Sequence, residues 1–267
     1  MEHKYAIITA AGCSTRFSRS IGFECHKSLT PVDGLDGKSL LKWQIETLID
    51  NGVEQVFAVG GYMFTKFILQ INDLEQKYKD KVEKVFNSEY FITGSYLSMF
   101  LGFDRMYQLI KQDGIPEPTS IICVEGDVYA SNLAEFVAKP FDYDNCTIRP
   151  TTNGKSVLRA DRDVIGVIDD CGRLSWKYST KHSEFTNIPS SIKMIFNSGQ
   201  IWEICTKFLD WRKVHEQLNQ QSYKNTTNLT FIDYFSDKPD TPFELKDWVN
   251  ANTVDDLRTI NKQNNAL

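Results

Sequence analysis

The chain of 267 residues is long enough to bury a sizeable core, as one large α/β domain or two small ones. Its net charge of −5 leaves no global basic field for nucleic acid, so a bound anion has to be met by local cations. No apolar run approaches the roughly 18 residues of a membrane span, the start MEHKYAIITAAG lacks the long apolar stretch of a signal peptide, and the six cysteines (13, 25, 123, 146, 171, 205) are scattered without C-x-x-C, which argues against a zinc site and for reduced thiols in a cytoplasmic protein.

Residues 5–10 (YAIITA) are a short apolar run suited to a buried parallel strand. Residues 11–37 are rich in Gly and Ser and read as loop. Ser39 is positioned to cap a helix running to about Asp50, with Leu41, Ile45, Leu48 and Ile49 as its apolar stripe and Asn51-Gly52 as its left-handed stop. VEQVFAVGGY (53–62) is the next strand. A helix over 64–79, a short strand near 82–86 and a helix over 95–112 follow. SIICVEGD (120–127) is a further buried strand, ending in Gly-Asp. This alternation predicts a parallel, doubly wound sheet.

Beyond about residue 145 the pattern changes. CTIRP, SVLRA, VIGVID and RLSWK are short alternating runs, with a turn at Asp169-Asp170-Cys171-Gly172. They predict antiparallel strands beside or over the sheet. SIKMIFNSG reads as a strand, 200–219 as a helix, FELKDWVNAN as a last strand and 253–262 as a last helix. There is no repeat, low-complexity segment or linker, so a single domain is expected.

Ligands of open parallel sheets bind outside the carboxyl ends of the strands. Ala10-Ala11-Gly12 is the first such end, and small residues there let backbone N–H groups approach an anion closely. Arg16 adds a fixed positive charge with a planar donor fork. Lys27, eleven residues on in CHKSL, is within loop reach of the same pocket. Together they describe a polyphosphate cradle on an acidic protein. It is neither the G-x-x-x-x-G-K-[ST] loop nor the G-x-G-x-x-G fingerprint, both absent. Taken alone, these residues also fit a plain strand-to-loop turn with surface cations. Asp127 stands at the same edge of the sheet, where an Asx-turn is the structural alternative.

The order of AIITAAGCSTRF, HKSLTPVDG and KSLLKWQIETL, Gly61-Tyr62, the Asn-x-x-Tyr of NSEYFITGSYLSM and the Gly-Asp of VEGDVY resembles the nucleotidyltransferase family of sugar-nucleotide pyrophosphorylases. The resemblance spans essentially the whole chain and is tightest over 5–130. His26 before Lys27, with the N-x-x-Y…S-x-x-S run, looks most like the cytidylyltransferases that activate phosphocholine or phosphonates. The implied fold is α/β, a Rossmann-like mixed, mainly parallel sheet flanked by helices, with a small antiparallel β-arm in the second half (GT-A-like). It implies a single domain, 1–267, with a nucleotide-binding half (1–130) and an acceptor-binding half carrying the C-terminal helices (131–267). The implied reaction transfers CMP from CTP to a small phosphate or phosphonate acceptor, phosphocholine- or 2-aminoethylphosphonate-like, for a cell-surface component, and releases pyrophosphate. A sugar-1-phosphate nucleotidylyltransferase and a non-catalytic nucleotide-binding homologue are the alternatives.

Carried over residue by residue, the resemblance wraps the triphosphate with Ala10, Ala11, Gly12, Ser14 and Thr15, and neutralises it with Arg16 and Lys27. Ser14 stands where many members have Gly, which predicts a tighter loop. Thr93-Gly94-Ser95 match the turn that holds the base, and Ser98 extends it to the ribose or phosphates; a helix cap by Ser95 or Thr93 is the structural alternative. Asp127 falls on the Mg2+ ligand. The family's W-x-E-I-D-[ST]-x-x-D-L reads WVNANTVDDL here, so Asn250 falls on Glu and Asn252 on the second metal-binding Asp. An amide oxygen coordinates without charge, so weaker metal binding, or help from Asp255 or Asp256, is expected; Thr253 and Asp256 also read as a helix cap. Asn197 and Gly199 of FNSG match acceptor contacts, with a strand ending in a turn as the equal structural alternative, and Lys177, Lys181 and Lys193 are unranked partners for its phosphate. Trp176, Tyr178, Phe185 and Trp202 are candidates for a box around a quaternary ammonium, although such aromatics are more often core. His26 is expected to donate a hydrogen bond near the site. The expected cofactor is Mg2+, and the expected partners are a nucleoside triphosphate, CTP in preference, and the small acceptor, with no nucleic acid or membrane and a homodimer as one admissible state.

Overall fold

The computed structural model describes residues 2–155, 164–178, 190–207, 210–219 and 228–264. In chain order its elements are β1 (Lys4–Ala10), α1 (Thr15–Ile21), α2 (Leu40–Asp50), β2 (Gln55–Gly60), α3 (Phe64–Asn72), α4 (Gln76–Lys79), β3 (Val82–Phe86), α5 (Ser95–Gln112), β4 (Ser120–Glu125), β5 (Val128–Tyr129), α6 (Leu133–Ala138), β6 (Ile148–Thr152), β7 (Val164–Asp169), β8 (Leu174–Tyr178), β9 (Ile192–Cys205), α7 (Trp211–Asn219), α8 (Asn228–Asp233), β10 (Phe243–Glu244), β11 (Val249–Asn250) and α9 (Val254–Asn264).

The main sheet runs β10-β6-β9-β4-β1-β2-β3. β1 lies inside it between β4 and β2, parallel to both. Successive side chains of a strand point to opposite faces. Tyr5 and Ile7 accordingly join Met99 and Phe103 of α5 on one side, while Ala6 and Ile8 join Leu41 and Ile45 of α2 on the other. Both faces are covered, so the strand reads as a continuous apolar run. Each large apolar side chain buried this way contributes about 1.5–3 kcal/mol. Across β4 the sheet turns antiparallel, because β9 runs against both β4 and β6. β7 and β8 form a hairpin on the first half of β9, the small antiparallel arm that was expected. A separate ribbon pairs β11 with β5.

The strand and helix expectations hold for β1, α2, β2, β3, α5 and α9. Ser39 Oγ accepts the Lys42 N–H, and Gly52 takes φ 105 at the stop. Other spans differ. The loop at 11–37 contains α1 and two single 3-10 turns, Lys27–Leu29 and Asp33–Leu35. The helix expected over 64–79 is split, because Leu74 turns inward to the core between α3 and α4. Residues 200–205 are strand rather than helix, and the helix begins at Trp211. The helical spacing of Ile201, Ile204 and Cys205 arises from burial on both faces of a central strand, which periodicity alone does not separate from a helix. FELKDWVNAN holds two short strands, β10 and β11. The sequence pattern points to neither α6 nor α8, and SVLRA lies outside the described residues. All six cysteines are free thiols. No helix among the described residues is long and apolar enough to cross a membrane.

Candidate active site

The carboxyl ends of β1 and β4 open into a cleft lined by Ala10, Ala11, Gly12, Lys27 and Asp127, with Thr93, Gly94, Ser95 and Ser98 opposite. A Cβ added to Gly12 would meet no protein atom, so packing does not require glycine there; the residue faces the open cleft. Gly126 is the opposite case. A Cβ there would lie 2.8 Å from the Ala10 Cβ and 2.9 Å from the Thr9 carbonyl oxygen. Glycine alone lets the end of β4 cross so close to β1, and the next residue is Asp127.

Ser14 takes the left-handed φ of 52 that glycine adopts without steric cost. Its hydroxyl accepts the Lys27 N–H at 3.1 Å, which ties the two cationic segments together. His26 is buried. Its Nε2–H donates to the Ala10 carbonyl at 2.9 Å, and its Nδ1 accepts the Ser28 N–H at 3.2 Å. These partners fix one neutral tautomer. Burial pulls the imidazole pKa from 6.5 down to about 4, against the opposing pull of the Ala10 hydrogen bond. The expected donor role of His26 is therefore met, and its effect is to hold the Lys27 turn against the end of β1.

Four side chains converge here. The Lys27 ammonium pairs with the Asp127 carboxylate and donates to Asn252 Oδ1 at 3.2 Å. Arg16 Nη2 donates to the same Asn252 oxygen at 2.7 Å. A second recess, lined by Gly12, Ser14, Thr15, Arg16, Lys27 and Asn252, adjoins the first. Asn252 is carried in by the β5–β11 ribbon, where the Ala251 N–H donates to the Asp127 carbonyl at 2.8 Å.

On the far wall, Gly94 is the N-cap of α5 and supplies no side-chain cap. Thr93 Oγ1 donates instead to the Glu89 carbonyl at 2.8 Å, so Thr93 does not cap the helix. The start of an 18-residue helix therefore faces the cleft, an arrangement that favours an anion. Ser98 Oγ accepts from Asn87 Nδ2 at 3.0 Å, which makes Asn87, with Tyr90, part of the cleft wall.

Asp255 and Asp256 are not available as helpers. Asp256 Oδ2 accepts the N–H groups of Asn252 and Thr253 and the Thr253 hydroxyl, capping α9, and Asp255 pairs outward with Arg258. Asp127 and Asn252 remain. Both turn an oxygen to one cation, the Lys27 ammonium, and one carboxylate plus one amide is a hard oxygen donor set of the kind Mg2+ takes together with substrate phosphates and water. The residues present thus fit that ion.

The acceptor candidates are dispersed. Asn197 is fully buried on β9, and neither of its amide atoms has a hydrogen-bond partner. Gly199 is packed: a Cβ would strike Leu245 and Thr151, and its carbonyl accepts from Trp248 Nε1 at 2.9 Å. Lys177 is exposed on β8, and pairing across Ile165 sets it on the same face as Asn197. Lys193 sits toward the opposite end of the arm, and Lys181 lies outside the described residues. Among the described residues, none of Asn197, Gly199, Lys177 and Lys193 lines the cleft with Lys27. Trp202 is fully buried, so it is not open to a quaternary ammonium, and Trp176 is half-buried, meeting it edge-on at 5.9 Å against the α5-side core. The Phe185 position and the Tyr178 side chain lie outside the described residues.

Two residues with no motif behind them join the site through a chain of amides. Gln200 Nε2 donates to Glu125 Oε2, Asn250 Nδ2 donates to Gln200 Oε1, and Asn252 Nδ2 donates to Asn250 Oδ1, each at 2.8 Å. Positions 125 and 200 are linked to 252 only by the fold.

Residues 24–264 match the family described as a domain of unknown function (DUF6564). No curated protein sequence matches the chain. Among solved structures, the inositol-1-phosphate CTP transferase from T. maritima superposes with a TM-score of 0.65 at 16% identity, covering 98% of this chain and 96% of that one. The CTP:phosphocholine cytidylyltransferase from Streptococcus pneumoniae gives 0.56 at 16% identity, over 98% and 99%. A nucleotidyl transfer enzyme from Methanothermobacter gives 0.60 at 15% identity, over 100% and 99%. At these identities the likeness is one of fold, and activity has to be argued from the site.

Proposed function

The chain belongs to the DUF6564 domain family, and we propose that it is a nucleotidyltransferase that moves CMP from CTP to a small phosphate or phosphonate acceptor. The observation that carries this reading is the meeting of Arg16, Lys27, Asp127 and Asn252, from four separate segments, beside the open Gly12 turn. An acceptor oxygen bonds to the α-phosphorus as the bond from that phosphorus to the bridging oxygen breaks, and pyrophosphate leaves with the electron pair. No protein nucleophile is needed. Catalysis of this kind rests on positioning and charge neutralisation.

In this reading the backbone of Ala10 to Gly12, with Ser14 and Thr15, wraps the triphosphate. Arg16 and Lys27 bind its oxygens and offset the charge that builds on the leaving group. Thr93, Gly94 and Ser95 hold the base, and the start of α5 with Ser98 faces the ribose or phosphates. Asp127 and Asn252 hold Mg2+, which supplies further positive charge to the phosphate oxygens when bound. Asn197, Gly199 and Lys177 belong to the acceptor half.

A second reading, transfer to a sugar 1-phosphate, is favoured by a separate observation. Asn197 is buried with both amide atoms unpartnered, and Asn153 is buried with its Nδ2 unpartnered while its Oδ1 accepts the Lys155 N–H; such amides suit sugar hydroxyls better than they suit a quaternary ammonium. The test for both is pyrophosphate release with each of the four nucleoside triphosphates against phosphocholine, 2-aminoethylphosphonate and sugar 1-phosphates. CTP is expected to give the highest kcat/KM. Comparable turnover of UTP with a sugar 1-phosphate moves the assignment to the second reading, and no release with any pair removes both.

A further inference from the structure

The three amides between Glu125 and the cationic pair are all turned the same way. An ionised carboxylate only accepts hydrogen bonds, and Arg and Lys only donate them. A chain of amides between such ends has one fully satisfied direction: each NH2 faces the carboxylate and each oxygen faces the cations. Gln200, Asn250 and Asn252 adopt that direction in all three links. Its outcome is that Asn252 presents Oδ1, not Nδ2, to Arg16 and Lys27.

The backbone has been shaped to admit Gln200 to this chain. Gln200 has φ 58, a left-handed conformation that is strained for a non-glycine residue. It lies at an irregularity where the β6 residues Pro150 and Thr152 pair with Trp202 and Ser198 of β9, so that β9 carries extra residues. Thr151 Oγ1 donates to the Ile201 carbonyl at 2.7 Å and accepts its N–H at 3.3 Å, and Ser198 Oγ accepts the Gln200 N–H at 3.0 Å. A strained residue whose neighbours are individually satisfied marks a side chain that is being aimed.

We propose that Glu125, Gln200 and Asn250 are positioning residues, a polarity relay that fixes which atom of Asn252 faces the cations and the substrate. A carboxylate at position 252 would need no such control, because both its outer atoms are oxygens. The relay is thus the counterpart of having an amide there. The proposal rests on the nucleotidyl-transfer reading for its use, but not for its existence.

The test is a double-mutant cycle on Gln200→Met and Asn252→Asp. It is read by the unfolding temperature of the protein alone and by calorimetric titration with MgCTP. Methionine keeps the length and β-carbon of Gln200 and removes the amide. In the natural background Gln200→Met is expected to weaken MgCTP binding on the order of tenfold, since Asn250 loses its acceptor and Asn252 is then held in place by the cations alone. Asn252→Asp alone puts an acceptor at each end of Gln200 and Asn250, so one link must set like against like, and the unfolding temperature should fall. Adding Gln200→Met to Asn252→Asp cuts the chain and lets Asn250 turn its NH2 to the new carboxylate. The unfolding temperature should then rise toward that of the natural chain, and MgCTP binding should not weaken further. Equal effects of Gln200→Met in both backgrounds would overturn the relay. A wild type that binds no MgCTP and releases no pyrophosphate sinks the nucleotidyl-transfer reading instead, and the unfolding cycle still decides the relay.

Discussion

Arg16 and Lys27 share the Asn252 oxygen, and Lys27 also holds Asp127, so each cation has a fixed position before any anion arrives. Removing one preorganised charge from a transition state costs about 3 kcal/mol, roughly a hundredfold in rate. Arg16→Ala and Lys27→Ala should each lower kcat by about that factor while the circular dichroism spectrum stays unchanged; full pyrophosphate release in either variant removes that residue from the mechanism. His26 carries a different kind of prediction. Its imidazole titrates near 6.5 when the chain is unfolded and near 4 when folded, because burial disfavours the charged form. Above pH about 6.5 both states are neutral and the residue adds no pH dependence. As pH falls from about 6.5 to about 4 the unfolded state takes up the proton first, so stability is lost through that window, by about 3 kcal/mol at most. Denaturant unfolding between pH 7 and 4 should show this loss, and His26→Gln should flatten it. These residues were legible because the motif keeps them within one short stretch. Asp256 reads in the sequence both as a helix cap and as a metal helper, because spacing does not say which way a carboxylate turns; in the structure it caps α9.

At the scale of elements, the site depends on how closely β4 passes β1. Gly126 has no room for a Cβ, and the atoms in the way include the Thr9 backbone, which cannot yield as a flexible side chain would. Gly126→Ala should therefore cost about 1–3 kcal/mol through overpacking and should lower kcat more than stability alone explains, since Asp127 is the next residue along. The comparison is pyrophosphate release at a temperature where thermal melting shows the variant fully folded; unchanged kcat there would mean that Asp127 does not depend on this approach. The strands that build this crossing were plain in the sequence, because a buried parallel strand is a run of apolar residues with a turn at its end. The second half of β9 was not: SIKMIFNSG reads as strand, but from Ile201 to Cys205 the strand is buried on both faces, it follows a left-handed residue at Gln200, and its apolar positions imitate a helix. Pattern reasoning fails at such a strand for the same reason that it serves the site: its regular pairing has been broken to aim a side chain.

At the scale of the molecule, the two halves of the chain are joined through one sheet, β4 of the first half against β9 of the second, and the seam contains charge. Glu203 of β9 is fully buried, paired with the equally buried Arg149 of β6 and with Lys4 of β1 at 3.2 Å, and it accepts from Ser120 Oγ of β4 at 2.8 Å. Arg149 also donates to the carbonyls of Phe136, Lys139 and Pro140 and lies over the Phe136 ring, so the strands on both sides and the α6 region are tied to one point. A buried pair of this kind adds little net stability compared with well-packed apolar residues, because desolvating two ions is costly, yet removing one partner leaves the other uncompensated. Arg149→Met should therefore destabilise the protein by about 3–5 kcal/mol, with Glu203 left beside the partly exposed Lys4 as its remaining cation. Arg149→Met combined with Glu203→Met should lose less than Arg149→Met alone, since no lone buried carboxylate remains. Urea unfolding of the two variants decides this. If the double variant is the less stable, the pair stabilises the seam by its own attraction, and the join between the halves depends on the charge and not merely on its neutralisation.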